Sequence, residues 1–246
     1  ELDFWKEARA ELDSIKPLFW LGEYDELDNP DYAEVFDASY TWRWMHRAKD
    51  FYQKQWPLDS LLAVLDLYDK IGDKSMRAWF TTNHDENSWN GTEYEKNGEM
   101  ARALAVFSAT WNGVPLLYSG QEMPNKKRLK FFERDPIVWT GEKELADFYR
   151  QLLELKRSNP ALRGGDPAAE TIRIHTGKEQ VFSYLRKNGD REVLVILNLS
   201  SSPAIIELGG EPLKNSMKEL FSSQQLNFSE KVNIELKPWD AKVYAR

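Results

Sequence analysis

The sequence predicts an α/β fold that is followed by a small antiparallel β domain. Up to about residue 158, helical patterns alternate with short apolar runs, which indicates strands of a parallel sheet. After Gly164-Gly165-Asp166-Pro167 the apolar residues alternate with a period of two, which is typical of antiparallel strands. We therefore expect an α/β part at 1–163 and a β domain at 168–246.

The α/β part is predicted to be a helix followed by four strand–helix units. Apolar residues at helical spacing predict helices at 2–14, 58–72, 100–111 and 145–158. Nearly continuous apolar runs predict strands at 18–22, 35–40, 77–82 and 114–118. Such runs are expected when helices cover both faces of a parallel sheet.

The β domain is predicted to be an antiparallel sandwich. Lys187-Asn188-Gly189-Asp190 has the composition of a tight hairpin turn. Period-two alternation and short apolar segments predict strands at 171–176, 180–186, 192–199, 204–208, 217–221, 232–236 and 241–244.

Composition excludes several classes of function. The net charge of -7 argues against a nucleic-acid partner. The chain has no cysteine, which excludes disulfides and thiol chemistry. It has no apolar run long enough to predict a membrane span. His46, His84 and His175 lack the spacing of metal ligands, so no metal site is predicted.

Glu23 is the first candidate catalytic residue, because it comes just after the predicted strand 18–22. An apolar setting beside Phe19 and Trp20 would favour the protonated carboxyl that a general acid needs. The alternative is that Glu23 belongs to a solvated acidic loop. A calcium site there is disfavoured, because the loop lacks the glycine and the bidentate glutamate of an EF-hand.

Asp85 is the second candidate, because it follows the predicted strand 77–82. Carboxylates on the ends of two parallel strands can converge on a glycosidic bond, and His84 could bind sugar hydroxyls. Asn83, His84 and Asp85 are also residue types that cap turns, so a turn without catalytic function is the alternative.

Four segments, taken in order along the whole chain, resemble the α-amylase family of glycoside hydrolases. They are 19–23 (FWLGE), 80–86 (FTTNHDE), 114–122 (VPLLYSGQE) and 131–139 (FFERDPIVW). The resemblance implies that the α/β part is the carboxyl-terminal half of a TIM (β/α)8 barrel, with strands five to eight, and that the β domain follows it.

The resemblance also implies roles for individual residues. Glu23 would be the general acid/base of a retaining mechanism on α-linked glucans such as starch. Asp85 would stabilise the transition state, and His84 would bind the same sugar. Asn83 is a further substrate-binding candidate. Asn87, Trp89 and Asn90 would line flanking subsites, and packing within the loop is the alternative for them.

One family feature is missing, because no Gly-Phe-Arg-x-Asp-like motif supplies the nucleophile. We therefore expect the chain to be a fragment that is inactive alone, and to self-associate or pair with a missing amino-terminal half. No cofactor is expected in this chain, and calcium, which family members often bind, would belong to the full-length parent. The compartment stays open between secreted, periplasmic and cytoplasmic.

Two other functions fit the same motifs. A transglycosylase or isomerase of the family shares them, and acceptor subsites decide between these activities and hydrolysis. A non-catalytic amylase-like binding domain is the third alternative, although such proteins usually lose the carboxylates that Glu23 and Asp85 retain.

Overall fold

A four-stranded parallel sheet forms the first part of the protein. The computed structural model describes residues 1–72, 74–139 and 145–246. The strands pair in the order β1-β2-β3-β4, so each strand lies beside its neighbour in the chain. Their bounds are β1 (Leu21–Asp25), β2 (Ala38–Tyr40), β3 (Met76–Trp79) and β4 (Val114–Pro115). This sheet is the carboxyl-terminal part of the predicted barrel.

The α-helices confirm the predicted ones and add three. They are α1 (Leu2–Ile15), α2 (Trp42–Lys54), α3 (Leu58–Ile71), α4 (Glu86–Trp89), α5 (Glu93–Asn97), α6 (Ala101–Thr110) and α7 (Ala146–Ser158). Among the described residues, no helix has the length and apolar character needed to cross a bilayer.

The prediction of four strand–helix units is wrong for the first unit. Between β1 and β2 the described chain has only the 3-10 helix Pro30–Glu34. Pro30 is the first residue of this 3-10 helix, a position at which a proline is tolerated. Helix α2, which the sequence analysis missed, packs through Trp44, Met45, Ala48 and Phe51.

The first strand lies three residues later than predicted. The apolar residues Leu18, Phe19 and Leu21 are exposed, so the run that suggested a buried strand is a surface feature. Gly22 lies inside β1 and does not end it. A Cβ atom on Gly22 would come within 2.4 Å of the Tyr24 ring, which explains why a glycine occupies this position.

Strands β3 and β4 are shorter than predicted at their carboxyl ends. Pairing stops at Trp79 in β3 and at Pro115 in β4, although the predicted strands extended to 82 and 118. Beyond these points the polar segments that follow make side-chain hydrogen bonds in place of the strand ladder. The edge that results carries the candidate site.

Two antiparallel sheets follow as a sandwich. A six-stranded sheet has the order β10-β9-β12-β7-β6-β5, and a two-stranded sheet pairs β11 with β8. The strands are β5 (Glu170–Ile174), β6 (Val181–Asn188), β7 (Arg191–Asn198), β8 (Ala204–Leu208), β9 (Ser216–Glu219), β10 (Gln225–Asn227), β11 (Val232–Leu236) and β12 (Ala241–Ala245). Leu185, Ile196, Ile206 and Leu236 belong to the core between the two sheets.

The predicted hairpin at 187–190 is confirmed. Asn188 pairs with Arg191, which leaves a two-residue turn that Gly189 opens with a φ of +61°. β10 is the strand that the sequence analysis missed, and it is a short edge strand with no buried residue.

The parallel and antiparallel parts share one hydrophobic core. Trp44 stacks on Phe107 at 4.3 Å, and Trp111 meets Tyr184 of the antiparallel sheet edge to face at 4.8 Å. The Thr110 and Tyr184 hydroxyls form a buried hydrogen bond of 2.6 Å. The six-stranded sheet therefore supports the helices that cover the barrel strands.

Candidate active site

Three predicted site residues meet at the carboxyl end of the parallel sheet. Glu23 lies in β1, and His84 and Asp85 lie in the turn between β3 and α4. One oxygen or nitrogen atom of each side chain lies within 4.8 Å of the others. The fold thus joins Glu23 to residues that are distant from it in the sequence.

The cluster is open to solvent. Glu23 and His84 are exposed, and Asp85 is partly buried. The predicted apolar setting of Glu23 is wrong, because the strand alternation puts Glu23 on the same exposed side as Leu21. His84 Nε2 lies 3.7 Å from Asp85 Oδ1, so a protonated His84 would form an ion pair with Asp85.

Tyr40 is near enough to Glu23 and Asp85 for their charges to act on it. It ends β2, which pairs with both β1 and β3. Burial raises the pKa of Tyr40, and the nearby charges of Glu23 and Asp85 raise it further. The Tyr40 ring packs on Trp42 and Phe80, with ring centroids 5.6 and 5.4 Å away. No sequence motif predicted this neutral phenol, although its position at the end of a predicted strand was an available signal.

Asn83 holds the backbone of the turn that carries Asp85. Its Oδ1 atom accepts hydrogen bonds from the N–H groups of Asp85 (3.1 Å) and Glu86 (2.8 Å). Asn83 is buried, and its Nδ2 atom has no hydrogen-bond partner among the described residues. These contacts are to the protein backbone, and the predicted contact of Asn83 with substrate stays a prediction.

Asn87 clamps the segment 127–129 onto α4. Its Oδ1 atom accepts a 2.8 Å hydrogen bond from the Leu129 N–H, and its Nδ2 donates to the Lys127 carbonyl at 3.2 Å. Asn87 is buried, whereas Trp89 is exposed. Of the predicted substrate-binding residues, His84 and Trp89 are therefore accessible and Asn83 and Asn87 are not.

Glu86 is the centre of an ionic network behind Asp85, in which Glu86 and Lys96 are buried. Its carboxylate lies 3.3 Å from His46 Nε2 and 3.3 Å from Lys96 Nζ, and Asn90 Nδ2 donates to it at 2.9 Å. Burial alone would raise the pKa of Glu86, but the His46 hydrogen bond, the Lys96 charge and the Asn90 hydrogen bond lower it to about 2. The network ties α4 to α2 and α5, and sequence analysis missed it.

A second buried network joins the ends of β3 and β4. Glu93 Oε2 accepts hydrogen bonds from Thr81 Oγ1 (2.7 Å) and from Gln121 Nε2 (2.9 Å). Burial raises the pKa of Glu93. Because Gln121 and Thr81 follow neighbouring strands, this network fixes the spacing of the two loops beside the site.

Within residues 1–72, 74–139 and 145–246, one cluster of three possible metal ligands is present, and it consists of Glu23, His84 and Asp85. Exposed acidic groups commonly lie together in the absence of an ion, so this grouping does not assign a metal. The same atoms are those that the resemblance assigns to sugar chemistry.

Comparison with known proteins gives consistent matches. The chain is 28% identical to "Alpha-amylase 2" of Dictyoglomus thermophilum over 90% of its own length and 40% of that relative. It is 23% identical to "Maltogenic alpha-amylase" of Bacillus acidopullulyticus, over 98% of its length and 42% of that relative. The chain therefore spans about two fifths of the length of these curated relatives.

Solved structures share the fold. The maltogenic α-amylase AmyB from Thermotoga neapolitana superposes on the whole chain with a TM-score of 0.80, at 24% identity and over 58% of its own length. An α-amylase from Geobacillus thermoleovorans, solved with acarbose, gives a TM-score of 0.80 at 18% identity, over the whole of this chain and 57% of its own.

Family models account for both parts of the chain. Residues 181–243 match the model described as "Alpha-amylase SusG C-terminal domain". Residues 1–182 match the model described as "Alpha amylase, catalytic domain", and they include Glu23, His84 and Asp85. The chain thus belongs to the α-amylase family of glycoside hydrolases.

Proposed function

We propose that this chain carries the general acid/base and the transition-state stabiliser of a retaining hydrolase that acts on α-linked glucans. The convergence of Glu23, His84 and Asp85 at one open sheet edge carries the proposal. Glu23 protonates the leaving oxygen and then activates water, Asp85 stabilises the oxocarbenium-like transition state, and His84 binds the same sugar.

The spacing of Glu23 and Asp85 argues against one alternative, in which these two carboxylates are the acid and base of an inverting enzyme. Oxygen atoms of Glu23 and Asp85 lie within 4.8 Å of each other. An inverting pair stands about 6.5–9.5 Å apart, because a water molecule must fit between the sugar and the base. The spacing says nothing about retention itself, because Asp85 is not the proposed nucleophile.

The nucleophile is proposed to come from a part of the parent protein that this chain does not span. No Gly-Phe-Arg-x-Asp-like motif is present in the sequence. A covalent glycosyl intermediate needs a nucleophilic carboxylate on the sugar face opposite the leaving group. The 246-residue chain is therefore expected to have no hydrolase activity by itself.

An exposed apolar surface supports the same proposal. Helix α1 has no buried residue, and the surface that it forms with the start of β1 comprises Phe4, Trp5, Leu12, Ile15, Leu18, Phe19 and Leu21. β1 is also an unpaired edge of the parallel sheet. Exposed edges and apolar patches of this kind favour association, so we propose that an amino-terminal half or a second copy covers this surface.

The proposed domain limits are 1–163 and 168–246. The change from parallel to antiparallel pairing between β4 and β5 supports them. The shared core between α6 and the six-stranded sheet suggests that the two domains fold together.

Kinetics of the parent enzyme test the roles of the two carboxylates. Glu23→Gln and Asp85→Asn should each lower kcat on starch by about 10²–10⁴-fold. Glu23→Gln should lose far less activity on an aryl glycoside whose leaving group needs no proton. Glu34→Gln, at an exposed glutamate of the 3-10 helix, is the matched control and should keep full activity.

The anomeric configuration of the sugar that is released first distinguishes a retaining from an inverting mechanism. NMR should detect the α-anomer, because two displacements restore the original configuration. Release of the β-anomer, or full activity of both carboxylate variants, would refute the assignment. Measurable glucan hydrolysis by the isolated chain would refute the proposal that the nucleophile lies outside this chain.

A further inference from the structure

A groove of about 890 Å³ lies where the helices meet the antiparallel sheets, and we name it the junction groove. One of its walls is the corner between α2 and α3, which carries Trp56. The other wall consists of the turns at 175–180 and 199–201, together with Trp239. Small-molecule sites in proteins have volumes of about 300–1,000 Å³, so the junction groove is large enough for a ligand.

Helix α2 separates the junction groove from the candidate active site. Trp42 begins α2 and packs on Tyr40, which is near Glu23 and Asp85. Trp56 follows the other end of the same helix. Because an α-helix rises about 1.5 Å per residue, the 13 residues of α2 put roughly 20 Å between its ends. The groove is therefore outside the cleft in which Glu23 and Asp85 meet.

Trp239 lines the groove in an unfavourable backbone conformation. It is the third residue of the turn 237–240, and its φ of +56° lies in the left-handed region that favours glycine. Such a conformation persists where the surrounding structure fixes it, and it is frequent at ligand sites. Here the Trp239 N–H donates a 3.0 Å hydrogen bond to the Ser200 carbonyl, and the indole packs on the Tyr52 ring at a centroid distance of 5.3 Å.

Trp56 is fixed on the wall that the helices form. Gln55 ends α2 with a φ of +53°, and the Trp56 N–H donates to the Phe51 carbonyl at 3.2 Å, as in a Schellman cap. The Arg47 guanidinium and the Lys54 ammonium lie 5.1 and 4.9 Å from the centroid of the Trp56 ring. A site whose aromatic side chains are already held loses little conformational entropy when a ligand binds.

The polar groups of the junction groove suit an uncharged ligand that is rich in hydroxyls. Trp56 and Trp239 are partly exposed, and neither indole N–H donates to an acceptor among the described residues. The side chains of His175, Gln180 and Ser201 also form no hydrogen bond within the described part of the chain. The charged residues that line the groove balance one another, being Asp59, Glu179, Arg173 and Lys178. This balance disfavours a nucleotide or another polyanion.

We propose that the junction groove is a second binding site for α-glucan, which holds one part of the polymer while another part occupies the cleft. The choice of ligand rests on the proposed function. Sugar rings present apolar C–H faces that stack on indoles, and their hydroxyls bind the indole N–H groups and the side chains of His175 and Gln180. Two sites on one polymer raise the effective concentration of the glucan at the cleft.

Adsorption of the 246-residue chain to starch granules tests this site, with microcrystalline cellulose, a β-linked glucan, as the control surface. Wild type should adsorb to starch and not to cellulose, and soluble maltoheptaose should compete. Trp239→Gly should weaken adsorption to starch roughly five- to tenfold. Ser223→Gly is the matched control and should adsorb like wild type, because Ser223 is exposed and has a φ of +62° but does not line the groove.

Asp85→Asn separates failure of the junction groove from failure of the proposed function. It should leave most of the adsorption to starch, because the groove does not contain Asp85. Wild type that does not adsorb to starch or adsorbs equally to cellulose, a folded Trp239→Gly variant that adsorbs normally, or an Asp85→Asn variant that does not adsorb would refute the groove and leave the proposed function standing.

Activity of the parent enzyme gives the second readout. Trp239→Gly should lower the hydrolysis of granular starch several-fold more than the hydrolysis of maltotriose, which is too short to occupy both sites, and equal losses would refute the groove. Asp85→Asn should lower the hydrolysis of both substrates. Full activity of Asp85→Asn on both would refute the proposed function, and the adsorption of the chain would still report on the groove.

Thermal unfolding shows whether Trp239→Gly keeps its fold. The substitution removes the ring contact with Tyr52 but also relieves the backbone conformation, so the Tm should stay within a few degrees of wild type. If the Tm collapses, His175→Ala/Gln180→Ala decides, because these side chains form no hydrogen bond within the described part of the chain. This variant should weaken adsorption to starch several-fold, and normal adsorption by it would overturn the proposal.

Discussion

Replacing Glu86 by glutamine should destabilise the protein by about 3 kcal/mol. Glu86 and Lys96 are both buried, and their charged atoms lie 3.3 Å apart. The substitution would remove the carboxylate that pairs with the buried Lys96 ammonium, and breaking a buried ion pair typically costs about 3–5 kcal/mol. The lowered pKa of Glu86 has the same sign, because the folded protein favours its charged form.

Urea unfolding followed by tryptophan fluorescence measures this loss at pH 7. Glu154→Gln is the matched control, because Glu154 forms a surface pair with Arg150 at 3.2 Å and should cost less than about 1 kcal/mol. Glu86→Gln/Lys96→Met removes both charges and should recover most of the lost stability. A Glu86→Gln variant as stable as Glu154→Gln would show that the buried pair has no net structural role.

The pH dependence of the same variant has a defined sign. The folded-state pKa of Glu86 lies below its unfolded value, so the stability that it contributes is fully present above about pH 4.5. It is lost as the pH falls towards 2. The difference between wild type and Glu86→Gln should therefore shrink across this interval, and a constant difference would contradict the argument.

Two further predictions concern Asn87 and Lys156. Asn87→Ala leaves the Leu129 N–H and the Lys127 carbonyl without their hydrogen-bond partner. It should lower the free energy of unfolding by about 2 kcal/mol and speed hydrogen exchange of the Leu129 amide. Unchanged protection of this amide would contradict the role of Asn87 in holding the segment 127–129. Burial and the Arg186 charge lower the pKa of Lys156 from 10.5 to about 7, so the unfolded chain binds this proton more tightly than the folded protein does. The free energy of unfolding of wild type should therefore rise relative to that of Lys156→Met as the pH rises from 7 to 9. A difference between the two that does not change with pH would refute the lowered pKa.

The antiparallel part was the more predictable part of the fold. The predicted strands at 204–208 and 232–236 agree with β8 and β11, and the hairpin turn contains Gly189 as expected. Alternation and turn chemistry are local properties, so a short stretch of sequence reports them. The position of β1 was harder to predict, because the apolar residues before it face solvent. Composition cannot tell an exposed apolar run from a buried one.

The chemical groups of the candidate site could be identified from the residues alone. Glu23, His84 and Asp85 stand out from the printed residues, and the four ordered motifs predicted the family that the comparisons confirmed. Their roles in catalysis stay predictions. The same motifs also drew attention to Asn83 and Asn87, although the structure buries both of them.

Which of these groups meet, and which remain accessible, depends on the packing of the whole fold. Strand register and the packing of α4 bring Glu23 within 4.8 Å of His84 and Asp85 and bring Tyr40 within reach of the Glu23 and Asp85 charges. They also bury Glu86 and leave Trp89 open. The physical reason is that a distance between residues far apart in the chain depends on the packing of every element between them, which no local pattern encodes.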